Sequence, residues 1–173
     1  MSDRKPLRQW FAVRLRSNFE HKAYHYCQGR GLEALLPTYQ RASHRHGGPT
    51  VIDRPLFPGY FFSRIDVQMP EKVALLQAPG VIELVRFGGQ AVPVPEPVIE
   101  SVKIVTRPGG KARPHPCLRV GLRVVVTAGP FKGAQGILKR VGERKSILVV
   151  SIELLGRAVG VPIEAEMVEP SFR

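Results

Sequence analysis

The chain has 173 residues, enough for one ordinary domain or two small ones. Its hydrophobic share of 43% is that of a folded protein, and no apolar run approaches the roughly 20 residues of a membrane span. Lys and Arg total 26 against 14 Asp and Glu, a net charge of +12, which predicts a polyanionic partner, most often nucleic acid.

The positive charge is concentrated at the beginning of the chain. Residues 1–64 carry 11 basic and 4 acidic side chains together with four of the five histidines, whereas residues 65–106 carry 3 basic and 5 acidic ones. We therefore expect the first third to face phosphate. The alternative is a generally basic surface that is simply solvated.

Two features indicate a reducing compartment. The first five residues lead into no apolar stretch of the signal-peptide type, and Cys27 and Cys117 lie far apart without a Cys-x-x-Cys spacing. We expect a cytoplasmic protein without a disulfide framework or zinc site. Cys27 falls on the apolar face of a predicted helix, so it is interpreted as a small core residue.

The segment over residues 54–62 reads Arg-Pro-Leu-Phe-Pro-Gly-Tyr-Phe-Phe and organises the chain around it. Its second proline and the following glycine, Pro58 and Gly59, predict that one strand ends here and another begins. Consecutive bulky residues after the break must fall on both faces of a strand. Some rings are expected in the core and others in an exposed apolar patch that binds a partner. The alternative is that all of them are core.

Elements alternate along the first hundred residues. Ser17 and Glu20 have the spacing of a capping box, which predicts a helix that begins there and runs to about Arg30. Residues 40–49 are basic and glycine-rich and predict an exposed loop or hairpin tip, in which His44 and His46 supply two ligands, too few to predict a metal site. Strands are predicted over 10–16, 32–39, 50–53, 60–65 and 81–87, and further helices over 70–77 and 98–105. This order favours an α+β fold with helices on an antiparallel sheet.

The second half of the chain has a different character. Residues 107–118 combine proline, glycine and positive charge without an apolar period, which is typical of an extended linker. About five short strands with frequent turns follow, as in a small all-β barrel. We predict an N-terminal domain over 1–106, a linker over 107–118 and a β domain over 119–173.

Two sets of residues carry a family resemblance. The spacing Val124-x-Val126-x-x-Gly129-Pro130-Phe131-x-Gly133-x-x-Gly136 resembles the KOW motif of small SH3-like barrels. Residues 10–13, 19–20, 57–60 and 79–81 are similar to the N-terminal domain of the NusG family of transcription elongation and antitermination factors. Residues 79–95 resemble the specialised paralogues that accompany particular operons.

The resemblance implies a protein that travels with elongating RNA polymerase. In the family, an apolar patch on the N-terminal domain docks on the clamp helices of the largest catalytic subunit. The matching positions are Trp10, Phe57, Pro58 and Tyr60. The alternative for Trp10 is a core tryptophan that fixes the first strand.

The resemblance also implies two further partners. Upstream or non-template DNA would be contacted by Arg14, Arg16, Arg41 and Arg45. The KOW domain would recruit the termination factor Rho or a small-subunit ribosomal protein through Phe131, Leu155, Gly156 and Arg157. The alternative for Leu155 is barrel core.

No arrangement of nucleophile and base, paired carboxylates or a phosphate-binding glycine loop suggests catalysis. We expect a monomeric binding protein that modulates pausing and termination, without enzyme activity, cofactor or metal. The competing interpretation is a ribosome-associated or RNA-binding KOW protein, which needs the basic surface but not the patch around Phe57 and Tyr60.

Overall fold

A computed structural model of the chain describes residues 7–45, 47–117, 121–142 and 145–171, with the side chain of Arg45 excepted. Predictions that concern the first six residues, His46, residues 118–120 of the linker and barrel, and the turn at 143–144 lie outside the described residues. Within the described part, no helix is both long enough and apolar enough to span a bilayer.

The described residues contain three α-helices and fourteen strands. In chain order they are β1 (Gln9–Leu15), α1 (Glu20–Gly29), β2 (Glu33–Leu35), β3 (Thr38–Arg45), β4 (Gly48–Pro55), β5 (Tyr60–Ile65), α2 (Pro70–Leu76), β6 (Val81–Leu84), β7 (Arg86–Phe87), β8 (Gln90–Ala91), α3 (Glu96–Val105), β9 (Arg113–Pro116), β10 (Leu122–Val126), β11 (Gln135–Arg140), β12 (Ser146–Ile152), β13 (Arg157–Ile163) and β14 (Val168–Pro170). The predicted α+β class is confirmed.

The chain divides into two units. The first comprises residues 1–36 and 58–96, and the second comprises residues 37–57 and 97–173. The β3–β4 hairpin and nearly all of α3 therefore belong with the C-terminal strands. The domain bounds predicted from the sequence, 1–106 and 119–173, stay a prediction.

The first unit is built on an antiparallel sheet in the order β2-β5-β1-β6. Side chains of β1 and β5 alternate between its two faces. One face packs with residues of α1 and α2 into a core cluster that includes Phe11, Val13, Leu15, Ala23, Cys27, Phe61, Ile65 and Leu75. The predicted break at Pro58 and Gly59 is confirmed, because β4 ends at Pro55 and β5 begins at Tyr60.

The predicted capping box is wrong. Helix α1 begins at Glu20, its N-cap residue is Phe19, and no side chain caps it. Asn18 has a positive φ of 68°, which is incompatible with a helical turn through Ser17. The carboxylate of Glu20 instead accepts a hydrogen bond from the backbone N–H of Gly59 at 2.9 Å. The tertiary hydrogen bond from Gly59 to Glu20 therefore replaces the predicted local bond between Ser17 and Glu20.

The second unit contains a six-stranded antiparallel sheet in the order β14-β10-β11-β12-β13-β9. Strand β9 lies within the predicted linker and pairs with β13, so four linker residues are part of a sheet rather than extended and unpaired. Helix α3 is joined to the same unit, since the N–H of Gln135 donates to Ser101 Oγ at 2.9 Å.

Candidate interaction surfaces

The turn between β4 and β5 is held by backbone contacts. Gly59 has a φ of +80°, a conformation that favours glycine. Its carbonyl accepts a hydrogen bond from Leu15 N at 2.8 Å, and its N–H donates to Glu20 Oε1. Glu20 is itself buried, with 6% exposure. The turn is therefore anchored on both β1 and α1.

Trp10 lies inside the first unit. Its side chain is 1% exposed, and its indole Nε1 donates to Glu96 Oε1 at 3.2 Å. Glu96 also forms an ion pair with Arg64, whose Nη2 lies 3.6 Å from Glu96 Oε2. Arg64 is the residue opposite Trp10 in the pairing of β1 with β5. The interpretation of Trp10 as a core residue that fixes the first strand is the one the structure shows.

Two of the four residues that the resemblance assigns to polymerase contact are buried. Trp10 is 1% exposed and Phe57 is 0% exposed. Large apolar rings gain most when they leave water completely, so burial of each ring stabilises the fold. Pro58 is exposed and Tyr60 is half-buried. A partner can reach only these two of the four predicted residues in this conformation.

The pairing of β1 with β5 adds Phe62, which was not among the predicted contact residues, to the sheet face that carries Trp10 and Tyr60. Tyr60 and Phe62 alternate with core residues on β5. Phe62 pairs with Ala12 of β1, and Trp10 lies two positions before Ala12, on the same face of that strand. Trp10, Ala12, Tyr60 and Phe62 therefore share the sheet face opposite the helices. The two-residue spacing of side chains along a strand is the sequence signal that could have placed Phe62 on the same face as Tyr60.

The arginines predicted to contact nucleic acid are divided between the two units. Arg14 lies at the end of β1 and pairs with Glu83 at 3.5 Å, and Arg16 is exposed just beyond that strand. Arg41 is exposed on β3, opposite Ile52 of β4. Arg45 pairs with Gly48 along the backbone of the same hairpin.

Of the two predicted forms of residues 40–49, an exposed loop or a hairpin tip, the structure shows the hairpin. Strand β3 continues to Arg45 and β4 begins at Gly48, so the two strands form a hairpin. Backbone pairing of eight residue pairs satisfies polar groups that a loop would leave to water.

The predicted partner residues of the β domain fall in two different turns. Phe131 is half-buried in the turn between β10 and β11. Leu155 ends a 3-10 turn after β12, and Gly156 follows with a φ of +61°. Leu155 is half-buried rather than core, and Arg157 begins β13.

Sequence reasoning missed an apolar surface on α2. Met69, Val73 and Leu76 are spaced along one helical face and are 42%, 59% and 38% exposed. Met69 and Val73 line a shallow cavity of about 580 Å³ together with Val67 and Gln77. The spacing of these apolar residues at i, i+4 and i+7 was the sequence signal that could have predicted this surface.

Within the described ranges, no group of three or more His, Cys, Asp or Glu side chains is arranged to hold a metal ion. Burial raises the pKa of the Cys27 thiol to about 11. Since the thiolate is the reactive form, the predicted role of Cys27 as an inert core residue agrees with its position.

We expect a thiol reagent at neutral pH to modify only Cys117 in the folded protein. Cys27 is 0% exposed, and with a pKa of about 11 its thiolate fraction near pH 7 is on the order of 10⁻⁴. Cys117 is half-buried and accessible to the reagent. Mass spectrometry after brief alkylation checks this, with Cys117→Ser as the control. Rapid modification of that variant without denaturant would contradict the assignment.

Comparison with known proteins identifies the class to which this fold belongs. A family model described as transcription termination factor NusG matches residues 8–103, more than half of the chain. That span includes strands β1 to β8, the turn at Gly59 and the β3–β4 hairpin. The chain belongs to the NusG family, and the resemblance seen in the sequence is confirmed.

Individual relatives cover nearly the full chain. It is 26% identical over 177 residues to the transcription termination/antitermination protein NusG of Escherichia coli K12, covering 95% of this chain and 97% of the relative. Identity to the NusG of Vibrio vulnificus is 28% over 176 residues, covering 95% and 96%. A solved structure of Thermotoga maritima NusG that concerns a domain interaction aligns with a TM-score of 0.55 at 22% identity, covering 96% and 98%, which supports the same fold.

Proposed function

We propose that this NusG-family chain is a transcription elongation factor that binds RNA polymerase through its N-terminal domain and recruits a second partner through its C-terminal β domain. It modulates pausing and termination. The observation that carries the proposal is the family match over residues 8–103, which includes the anchored turn at Gly59.

The proposed mechanism is binding rather than bond chemistry. A factor that holds one conformation of the polymerase more tightly than another shifts their populations by its differential affinity. Such a factor needs a rigid contact surface, because ordering a mobile one costs free energy on binding. The turn at Gly59 is rigid in this sense, since β1 and α1 both hold it.

The contact residues on the polymerase side are proposed to be Pro58 and Tyr60. Both can be reached from solvent, and tyrosine is among the residue types enriched at interface hot spots. Trp10 and Phe62 lie on the same sheet face as Tyr60 and are buried. The clamp helices of the largest catalytic subunit are the proposed docking site.

Arg14 and Arg16 are proposed to contact upstream or non-template DNA. Both are exposed at the end of β1, and Arg14 pairs in register with Tyr60, next to the proposed polymerase contact. The Arg14–Glu83 pair is solvent-exposed at 3.5 Å, so exchanging it for a phosphate costs little.

The second partner is proposed to bind the turns of the β domain. Phe131 and Leu155 are half-buried apolar side chains in turns, and Arg157 adds a charge beside Gly156. Rho or a small-subunit ribosomal protein is the proposed occupant. The factor would act as a cytoplasmic monomer.

Tyr60→Ala is expected to weaken binding to core RNA polymerase roughly 10- to 30-fold, because a central interface tyrosine contributes about 2 kcal/mol. Binding is measured by interferometry on immobilised polymerase, and pausing by in vitro elongation. Tyr24→Ala is the matched control, since Tyr24 is also half-buried but lies on α1. Phe57→Ala is unsuitable because its buried ring would destabilise the fold.

Equal affinities of the Tyr60→Ala variant and the unmodified protein would contradict polymerase docking at this surface. If the chain then bound ribosomes or RNA without polymerase, the competing interpretation as a KOW protein of the ribosome would take its place.

A further inference from the structure

The two faces of the β3–β4 hairpin differ in charge. Residues that stand opposite each other in an antiparallel pair project to the same face. Asp53, the only carboxylate between residues 38 and 55, pairs with Gln40 on one face. Arg54 pairs with Tyr39, and Arg41 with Ile52, on the other. The hairpin therefore has an arginine face without an acidic side chain.

A third arginine joins this face from another strand. The guanidinium carbon of Arg113, on β9, lies 5.4 Å from the centre of the Tyr39 ring. Tyr39 is half-buried, while Arg113 remains exposed. Arg113 Nη1 donates a hydrogen bond to the carbonyl of Ala112 at 2.7 Å. Stacking on an aromatic ring leaves the remaining N–H groups of a guanidinium in a position to donate to a phosphate.

Within the described residues, Arg41, Arg54 and Arg113 form no ion pair with a carboxylate. Four other arginines do, namely Arg8, Arg14, Arg64 and Arg123. An arginine that is not already neutralised is the type that releases counterions when it meets a phosphate.

We propose that this arginine face, formed by Tyr39, Arg41, Arg54 and Arg113, binds the phosphate backbone of duplex DNA. The hairpin is a two-stranded ribbon of eight residue pairs, and such a ribbon fits the major groove of B-form DNA, about 12 Å wide. The major groove of A-form RNA is too narrow for it. Ser43, which pairs with Thr50 farther toward the tip on the same face, adds a hydroxyl donor, whereas the hydroxyl of Thr50 donates to the carbonyl of Ser43 at 3.3 Å.

This surface deepens the proposed function, because it places DNA contacts on the hairpin and on β9 in addition to β1. It makes β9, in the predicted linker, part of the nucleic-acid interface. Binding at this face needs no polymerase, so it can be measured with the protein alone.

The test uses the full chain and a fluorescent DNA duplex of about 20 base pairs, titrated by anisotropy between about 50 and 200 mM salt. We expect Arg41→Gln with Arg54→Gln to weaken binding about tenfold and to lower the slope of log affinity against log salt by about two. Arg113→Gln is expected to lower it by about one. Glutamine keeps part of each aliphatic stem, and circular dichroism checks folding.

The matched control removes two positive charges elsewhere in the same unit. Lys139 and Arg140 are both exposed on β11, and Lys139→Gln with Arg140→Gln is expected to leave the slope unchanged. Tyr39→Phe, which keeps the ring, is expected to bind as the unmodified protein does, and Tyr39→Leu to reproduce the Arg113→Gln loss.

Three results would overturn the proposal. They are an unchanged slope in the Arg41 and Arg54 variant, an equal loss in the Lys139 and Arg140 control, and equal affinity for an RNA duplex of the same sequence. Loss of polymerase binding by Tyr60→Ala is scored in a separate assay, so the two proposals fail independently.

Discussion

Trp10→Ala is expected to destabilise the protein by about 3–5 kcal/mol, the cost of removing a large buried ring and leaving a cavity. The ring is 1% exposed, and its indole N–H bonds to Glu96. The substitution also leaves Glu96 with one hydrogen bond fewer. Urea unfolding followed by circular dichroism measures the change, since Trp10 is the only tryptophan and its fluorescence is lost with it.

Phe87→Ala is the matched control for this prediction. Phe87 is a large ring too, but it is 79% exposed in the short β7–β8 hairpin. Its removal is expected to change the free energy of unfolding by about 0.5 kcal/mol or less. Similar values for the two variants would show that Trp10 is not a core residue.

Glu20→Ala is expected to cost about 2–3 kcal/mol, because it removes a charged acceptor from Gly59 N and a carboxylate from the first turn of α1. The turn that carries Pro58 would lose one of its two anchors. We therefore also expect weaker polymerase binding than the loss of stability alone predicts. Thermal unfolding and polymerase affinity are measured on the same preparation.

Two further variants serve as comparisons for the loss of stability expected of Glu20→Ala. Glu20→Gln keeps an oxygen acceptor and is expected to lose about half as much, since a neutral acceptor is weaker than a charged one. Glu83→Ala breaks only the exposed pair with Arg14 and is expected to cost less than about 1 kcal/mol. If Glu20→Ala cost no more than Glu83→Ala, the Gly59 contact would not anchor the turn.

Local patterns predicted much of the secondary structure. Strand β5 was expected over 60–65 and is observed there, because a run of aromatic and branched residues after Pro58 and Gly59 has few alternatives. Helix α2 begins at the predicted proline, whose missing N–H is unused at a helix start. Elements bounded by proline or glycine were predicted best.

Longer-range contacts account for the errors. The Ser17–Glu20 spacing resembles a cap, yet Glu20 bonds to Gly59, 39 positions away. Residues 113–116 lie in the predicted linker, but pairing with β13 makes them strand β9. In each case a partner distant in the sequence decided the conformation.

The sequence by itself determined the α+β class, the family and the charge of the hairpin, because these depend on residue types and short spacings. Only the tertiary structure decided which rings a partner can touch. Alternation along β1 and β5 assigns Trp10 and Tyr60 to one face, but it does not tell how much of each side chain is covered. Burial depends on everything packed against that face, which leaves Trp10 inside and Tyr60 partly accessible.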